Sequence, residues 1–261
     1  MRRLALVLLA AAALAPPALA AFVEPAPYPR LVVPSQWEQR HAVAQALRRG
    51  APVYCGGGRS NAVALTFDDG PGPYTEQLLR VLGDHGARAT FFLVGNRLQY
   101  WPHAAREEVR LGVLGNHSWS HPRLTDLPRW LVWLELARTQ DSIAQEVGWK
   151  PRLFRAPYEL HDRMTDGVAS ALGLLEVFWS VDSGDDVPHA QVKTVVRNVL
   201  AGLHPGAIVL MHDLHPWTVA ALPRILRAIR LRGLRTVTVP ELLALDPPAS
   251  KQHCPLAPGA D

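Results

Sequence analysis

The chain has 261 residues, 48% of them apolar and 19% charged, with 27 basic against 23 acidic side chains for a formal charge of +4. That apolar share supports a packed core and argues against a disordered chain. The basic residues form no dense cluster, so nucleic acid is not an expected partner. After the amino-terminal stretch, no segment approaches the roughly 20 apolar residues of a membrane span, so no integral-membrane partner is expected either.

Residues 1–20 read as an export leader. Arg2 and Arg3 precede an apolar run over 4–14 and a small-residue exit at Ala18-Leu19-Ala20, which predicts a periplasmic or extracellular protein. A Pro-rich lead-in follows. Ser35, with Glu38 three residues later, predicts a capping box and a helix to Arg49. Residues 21–52 are thus an amino-terminal extension with one helix. Cys55 and Cys254 are the only cysteines. In an oxidising compartment they can pair, tying the start of the domain to its carboxyl-terminal tail; two separate thiols are the alternative. Gly56-Gly57-Gly58 lacks the lysine and the preceding strand of a phosphate loop.

From residue 61 the pattern alternates. Strands are expected at 62–67, 89–94, 113–115, 153–155, 174–180, 207–211 and 234–237. Helices are expected at 75–85, 102–111, 128–147, 164–172, 191–200 and 219–232. Alternation of apolar strands with helices predicts an α/β protein with a parallel sheet covered by helices, and leaves open whether it closes as a barrel or stays doubly wound. The domain spans 53–245, with a tail at 246–261.

The polar residues that break this pattern stand at strand ends, where α/β folds build their sites. Thr66-Phe67-Asp68-Asp69-Gly70-Pro71 ends the first strand with two adjacent carboxylates, as a site or as a turn. His117 and His121, four apart in His-Ser-Trp-Ser-His, can aim two imidazoles the same way from a single turn or a loop. Two imidazoles and one carboxylate make an open metal site. Arg155-Ala156-Pro157-Tyr158 offers a cation for a carboxylate and a stiffened loop, and Asp182-Ser183-Gly184-Asp185-Asp186 follows. Val209-Leu210-Met211-His212 delivers a histidine at the tip of an apolar strand.

In this order the five segments resemble the NodB-like polysaccharide deacetylases, carbohydrate esterase family 4, over roughly 53–245. The resemblance implies a distorted (β/α) barrel in a single domain. It implies Asp68 as general base, Asp69, His117 and His121 as metal ligands, and Arg155 as the residue that orients Asp68. It further implies the Tyr158 backbone N–H as an oxyanion donor, Leu210 in the acetyl pocket, and His212 as general acid tuned by Asp185. The implied protein is an exported, metal-dependent N-deacetylase of amino-sugar glycans such as peptidoglycan, chitin-like chains or an exopolysaccharide. An O-acetyl (xylan-type) esterase is the alternative. Zinc is the metal expected from the ligand type, with Co, Ni or Mn as substitutes. The expected partner is an acetylated glycan and the expected form a monomer. Two positions depart from the family pattern: Asp186 stands where a Trp closes the fourth motif, and Glu159 where a Gly commonly follows the Tyr. His161 and Asp162, just past Tyr158, are candidates for the groove edge. Trp119 is a candidate for lining the cleft or for packing, and Trp217 for sugar stacking or for a core anchor. His41, His85, His103, His189, His204 and His253 read as surface residues.

Overall fold

The computed structural model describes residues 33–187 and 190–255; the expected leader, most of the lead-in, His189 and the last residues of the tail lie outside the described residues. Among the described residues, eight parallel strands form one sheet. They are β1 (Ala62–Asp68), β2 (Ala89–Leu93), β3 (Gly112–Asn116), β4 (Leu153–Phe154), β5 (Leu175–Glu176), β6 (Val181–Asp182), β7 (Ile208–His212) and β8 (Arg235–Val237). Their spatial order is β5-β4-β3-β2-β1-β7-β6, and β8 pairs the first half of β1. Every residue of β1 and β2 is buried, as expected of strands covered on both faces.

The edge strands β5 and β6 are consecutive in sequence, with only 177–180 between them. The sheet therefore curls until its edges nearly meet. The gap is crossed by residues 53–55: Val53 pairs in parallel with Val177, and Cys55 pairs antiparallel with Ala207. The result is the incomplete barrel that the resemblance implied and that periodicity alone left open. The apolar run at 174–180 is not one strand. Its hydrogen-bonding partner changes from β4 to Val53 and then to Ile208 within a few residues, so regular pairing cannot persist.

Eight α-helices among the described residues cover the sheet: α1 (Gln36–Arg48), α2 (Thr75–Asp84), α3 (Ala104–Leu111), α4 (Arg129–Val147), α5 (Arg163–Ala171), α6 (Val192–Gly202), α7 (Pro216–Leu231) and α8 (Val239–Leu245). None of the helices described is long and apolar enough to cross a membrane. The Ser35–Glu38 capping box starts α1 as expected. Helix α8 has no counterpart in the pattern reading; Thr238 and Glu241 cap it reciprocally, with Pro240 in its first turn.

One core lies under α2, α6 and α7, where Phe67, Phe91, Val209 and Met211 meet Leu78, Val195, Leu222 and Ile225. A second lies under α4 and α5, around Leu136, Phe154, Val168 and Phe178. Cys55 and Cys254 form a disulfide with a Cα–Cα separation of 5.9 Å. Beside it, buried Asp246 accepts the backbone N–H groups of Arg59 and Ser60 at 2.6 and 2.8 Å, and Gln252 accepts that of Tyr54 at 2.8 Å.

Candidate active site

The site gathers at the carboxyl ends of β1, β3, β4 and β7. Asp68 and His212 are register partners at the ends of β1 and β7, and Thr66 and Leu210 are partners two residues before them. Alternation along a strand puts residues two apart on one face, so these four share a face.

Arg155 is fully buried, and its guanidinium holds the centre together. It donates from Nη1 to Asp68 Oδ1 and to Thr66 Oγ1, both at 2.8 Å. It also donates from Nε to the Val177 carbonyl at 2.8 Å and from Nη2 to the Phe178 carbonyl at 3.0 Å. Burial raises the Asp68 pKa above the usual carboxylate value, and the charge of Arg155 opposes that rise.

Asp69, His117 and His121 each present one donor atom, and these atoms all lie within 4.8 Å of one another. The Nε2 atoms of His117 and His121 approach the same Asp69 oxygen at 3.5 and 3.2 Å. His117 Nδ1 lies 2.8 Å from the Arg155 carbonyl, an acceptor only, so Nδ1 carries the proton and Nε2 faces Asp69 as a lone pair. Burial drives the His117 pKa down to about 3, despite the opposing Asp69 charge. These three residues could hold a metal ion. The segment that carries the two histidines is a loop rather than a helical turn, because Ser118 and His121 have φ of 64° and 59°. Asn116 accepts the Ser118 N–H, Ser118 Oγ accepts the His121 N–H, and Glu135 of α4 takes the N–H groups of Trp119 and Ser120.

His212 Nδ1 lies 2.7 Å from Asp185 Oδ1, and its backbone N–H donates to Asp185 Oδ2 at 2.8 Å. Burial disfavours a charged His212, but the hydrogen bond and charge of Asp185 outweigh it and push the pKa up to about 10, with Asp68 and Asp69 adding. Thr218 of α7 donates to the second Asp185 oxygen. The Trp217 indole N–H donates to the Asp185 carbonyl at 2.7 Å while its ring stacks on His215, so Trp217 anchors this segment. Trp119 carries the Arg138 guanidinium over its ring at 3.7 Å.

Tyr158 is exposed, and its ring meets His121 edge-on at a centroid distance of 4.7 Å. Tyr158 and Glu159 both adopt positive φ, 60° and 57°, and Asp69 adopts 71°. All five positive-φ residues other than glycine among those described lie in the loops of this site, a pattern of strain held by surrounding structure. Asp186 is exposed, as is Asp182. Asp162 caps α5 by accepting the Met164 and Thr165 N–H groups. Thr66, Asn116, Glu135 and Thr218 support the site without having been singled out as site residues. Glu135 and Thr218 had no signal, since the loops they hold are distant in sequence. Thr66 was visible as the polar residue two before Asp68 on a buried strand.

A family model described as polysaccharide deacetylase matches residues 56–177. The chain is 36% identical over 193 residues to a peptidoglycan-N-acetylglucosamine deacetylase of Listeria monocytogenes, a match that covers 73% of this chain and 41% of that protein. The chain thus spans about two fifths of that relative's length. A family 4 carbohydrate esterase from Streptomyces lividans, solved with acetate, is 38% identical with a TM-score of 0.64, covering 67% of this chain and 91% of that one. A peptidoglycan N-acetylglucosamine deacetylase solved with an N-hydroxybenzamide compound is 29% identical with a TM-score of 0.72, covering 76% of this chain and 95% of that one.

Proposed function

The chain belongs to the polysaccharide deacetylase family, and from that premise we propose that it is an exported, divalent-cation-dependent hydrolase that removes N-acetyl groups from an amino-sugar glycan. The observation that carries the reading is the convergence of two imidazole nitrogens on one oxygen of Asp69, beside an Arg-held carboxylate and an Asp-held histidine.

The donors fit a cation on chemical grounds. A proton on His117 Nδ1 leaves the Nε2 lone pair facing a carboxylate oxygen, an arrangement of two acceptors that a positive ion between them satisfies. One carboxylate and two imidazoles suit Zn²⁺, with Co²⁺, Ni²⁺ or Mn²⁺ as substitutes. When bound, such an ion supplies Lewis acidity and lowers the pKa of a water.

The chain's own groups do the rest. Asp68 uses Oδ1 for Arg155 and has Oδ2 on the side of His117, 3.8 Å from its Nε2. Oδ2 accepts the proton of the attacking water. The water oxygen attacks the acetyl carbonyl, and the Tyr158 N–H donates to the oxyanion that forms. One such donor is worth about 3 kcal/mol. Leu210, buried two residues before His212 on the same face, takes the acetyl methyl. His212 gives its proton to the sugar nitrogen as the C–N bond breaks, and Asp185 keeps it charged at neutral pH. Acetate and a free amine result. The Cys55–Cys254 disulfide supports an oxidising location, and the Listeria relative supports peptidoglycan as the first glycan to try.

The test incubates purified protein and Zn²⁺ with peptidoglycan, chitin oligomers and acetylated xylan, and measures acetate and free amine together. Equal acetate and amine, lost in Asp68→Asn, is the expected result. Acetate without amine assigns the chain as an O-acetyl esterase, and no acetate from any substrate overturns the reading.

A further inference from the structure

A second convergent cluster lies behind the loop that carries Tyr158. His161 Nδ1 sits 3.0 Å from Asp166 Oδ1 and 3.6 Å from Glu176 Oε2. One donor atom from each of these residues can be chosen so that all three lie within 4.8 Å of one another. They come from three different pieces of the fold: the loop before α5, the first turns of α5, and the last residue of β5.

The protein's own groups do not balance this cluster. The single Nδ1 atom of His161 faces both carboxylates, and the nearer Asp166 takes its one possible proton. Glu176 is 94% buried, no N–H or O–H of the described residues donates to either of its carboxylate oxygens, and the neighbouring Asp166 carboxylate can reach it only through a shared proton. A buried carboxylate without a donor is expensive, and native structures rarely keep one without compensation. The site is also accessible to an ion, since His161 and Asp166 remain about a quarter and a third exposed. A cavity of about 40 Å³ borders Asp166 and Glu176, walled by Gly50, Ala51, Pro52 and Leu175 but not by His161, and has room for a single water beside the two carboxylates.

We propose that His161, Asp166 and Glu176 form a second Zn²⁺-type cation site, distinct from Asp69, His117 and His121. One imidazole and two carboxylates are an ordinary donor set for such an ion, with remaining positions open to water. Its role is structural. The His161 ring packs on Phe178 at a centroid distance of 4.9 Å, and the Phe178 carbonyl is a hydrogen-bond acceptor of Arg155. An ion here ties β5 and α5 to the loop three residues beyond Tyr158, so it steadies the backbone N–H assigned above to the oxyanion.

The test counts metal. Protein stripped with a chelator is dialysed against micromolar free Zn²⁺, and bound zinc is measured by mass spectrometry for wild type, His121→Ala, Glu176→Gln, His161→Ala and the double variant His121→Ala/Glu176→Gln. Circular dichroism confirms that each is folded. The expected result is two equivalents in wild type, one in each single variant and none in the double variant. Zinc should also raise the melting temperature of His121→Ala, and that rise should vanish when Glu176→Gln is added. Zinc content unchanged by both Glu176→Gln and His161→Ala overturns the proposal and leaves a proton shared between Glu176 and Asp166 as the compensation. The two sites fail separately, because loss of binding in His121→Ala reports only on the first.

Discussion

Asp68 and His212 stand side by side on one rung of the sheet, closing β1 and β7, yet each is held by a different counter-charge. Arg155 holds Asp68 from the β4 side, and Asp185 holds His212 from the loop after β6. The proposed base and acid can therefore be perturbed one at a time.

Replacing Arg155 with Met should shift the acid limb of the pH–rate profile upward. Burial raises the Asp68 pKa and Arg155 opposes it, so without the guanidinium Asp68 stays protonated to higher pH. The same change leaves Asp68 unpaired in the interior and removes donors from Thr66, Val177 and Phe178. A loss of about 3–5 kcal/mol in urea unfolding is expected near neutral pH. Arg155→Lys should rescue little of either, because an ammonium cannot reproduce the fork that reaches four acceptors.

Asp185→Asn should move the alkaline limb the other way. His212 holds its proton up to about pH 10 because Asp185 outweighs burial. Its contribution to stability is complete below the unfolded histidine value near 6.5, and is lost as pH rises through about 10. In the variant, burial acts against a weaker partner. The expected fall in the His212 pKa is at least about one unit, read by histidine proton resonances and by the pH dependence of kcat.

Glu159→Gly should stabilise the protein by about 1 kcal/mol, measured by urea unfolding, since φ of 57° suits glycine and strains glutamate. Glu159 and the nearby Asp182 also raise the negative potential beside Tyr158, and burial together with Asp182 raises the Glu159 pKa. The variant should gain activity on anionic glycans relative to neutral ones. Equal change on both would show that only backbone strain had been relieved.

Asp213 follows the proposed acid and is buried, with Thr75 as its hydrogen-bond donor and one oxygen unpartnered. Burial raises its pKa to about 7. A carboxyl raised in the folded state stabilises while protonated and loses that advantage as pH rises from about 4 through 7. Asp213→Asn keeps an acceptor for Thr75 and removes the titration. Relative to wild type, the variant should gain a few kcal/mol of unfolding free energy on going from pH 4.5 to pH 8.

What could be read from the sequence was local. The strand ends that carry Asp68, Asp69, His117, His121, Arg155 and His212 announce themselves as polar residues after apolar runs, and the structure brings all of them together. The bend at 177–180 did not announce itself, because an apolar run has the same composition whether its hydrogen bonds go to one neighbour or to three. Glu135 is an ordinary member of a helical pattern and Thr218 stands just before one, and only the fold brings them to the loops they hold. Glu176 reads as a polar residue in a strand, and its burial depends on α5 and on residues 50–52 closing over it.

The position of β1 also governs how the protein is made. The strand begins at residue 62, but its partners β7 and β8 begin at 208 and 235. A chain emerging from its amino terminus presents this central strand long before either partner exists, so β1 waits with β2 and β3 on one side only. Pairings this distant in sequence are slow to form. A growing chain therefore cannot place His212 beside Asp68 until residues 208–212 have emerged and paired with β1.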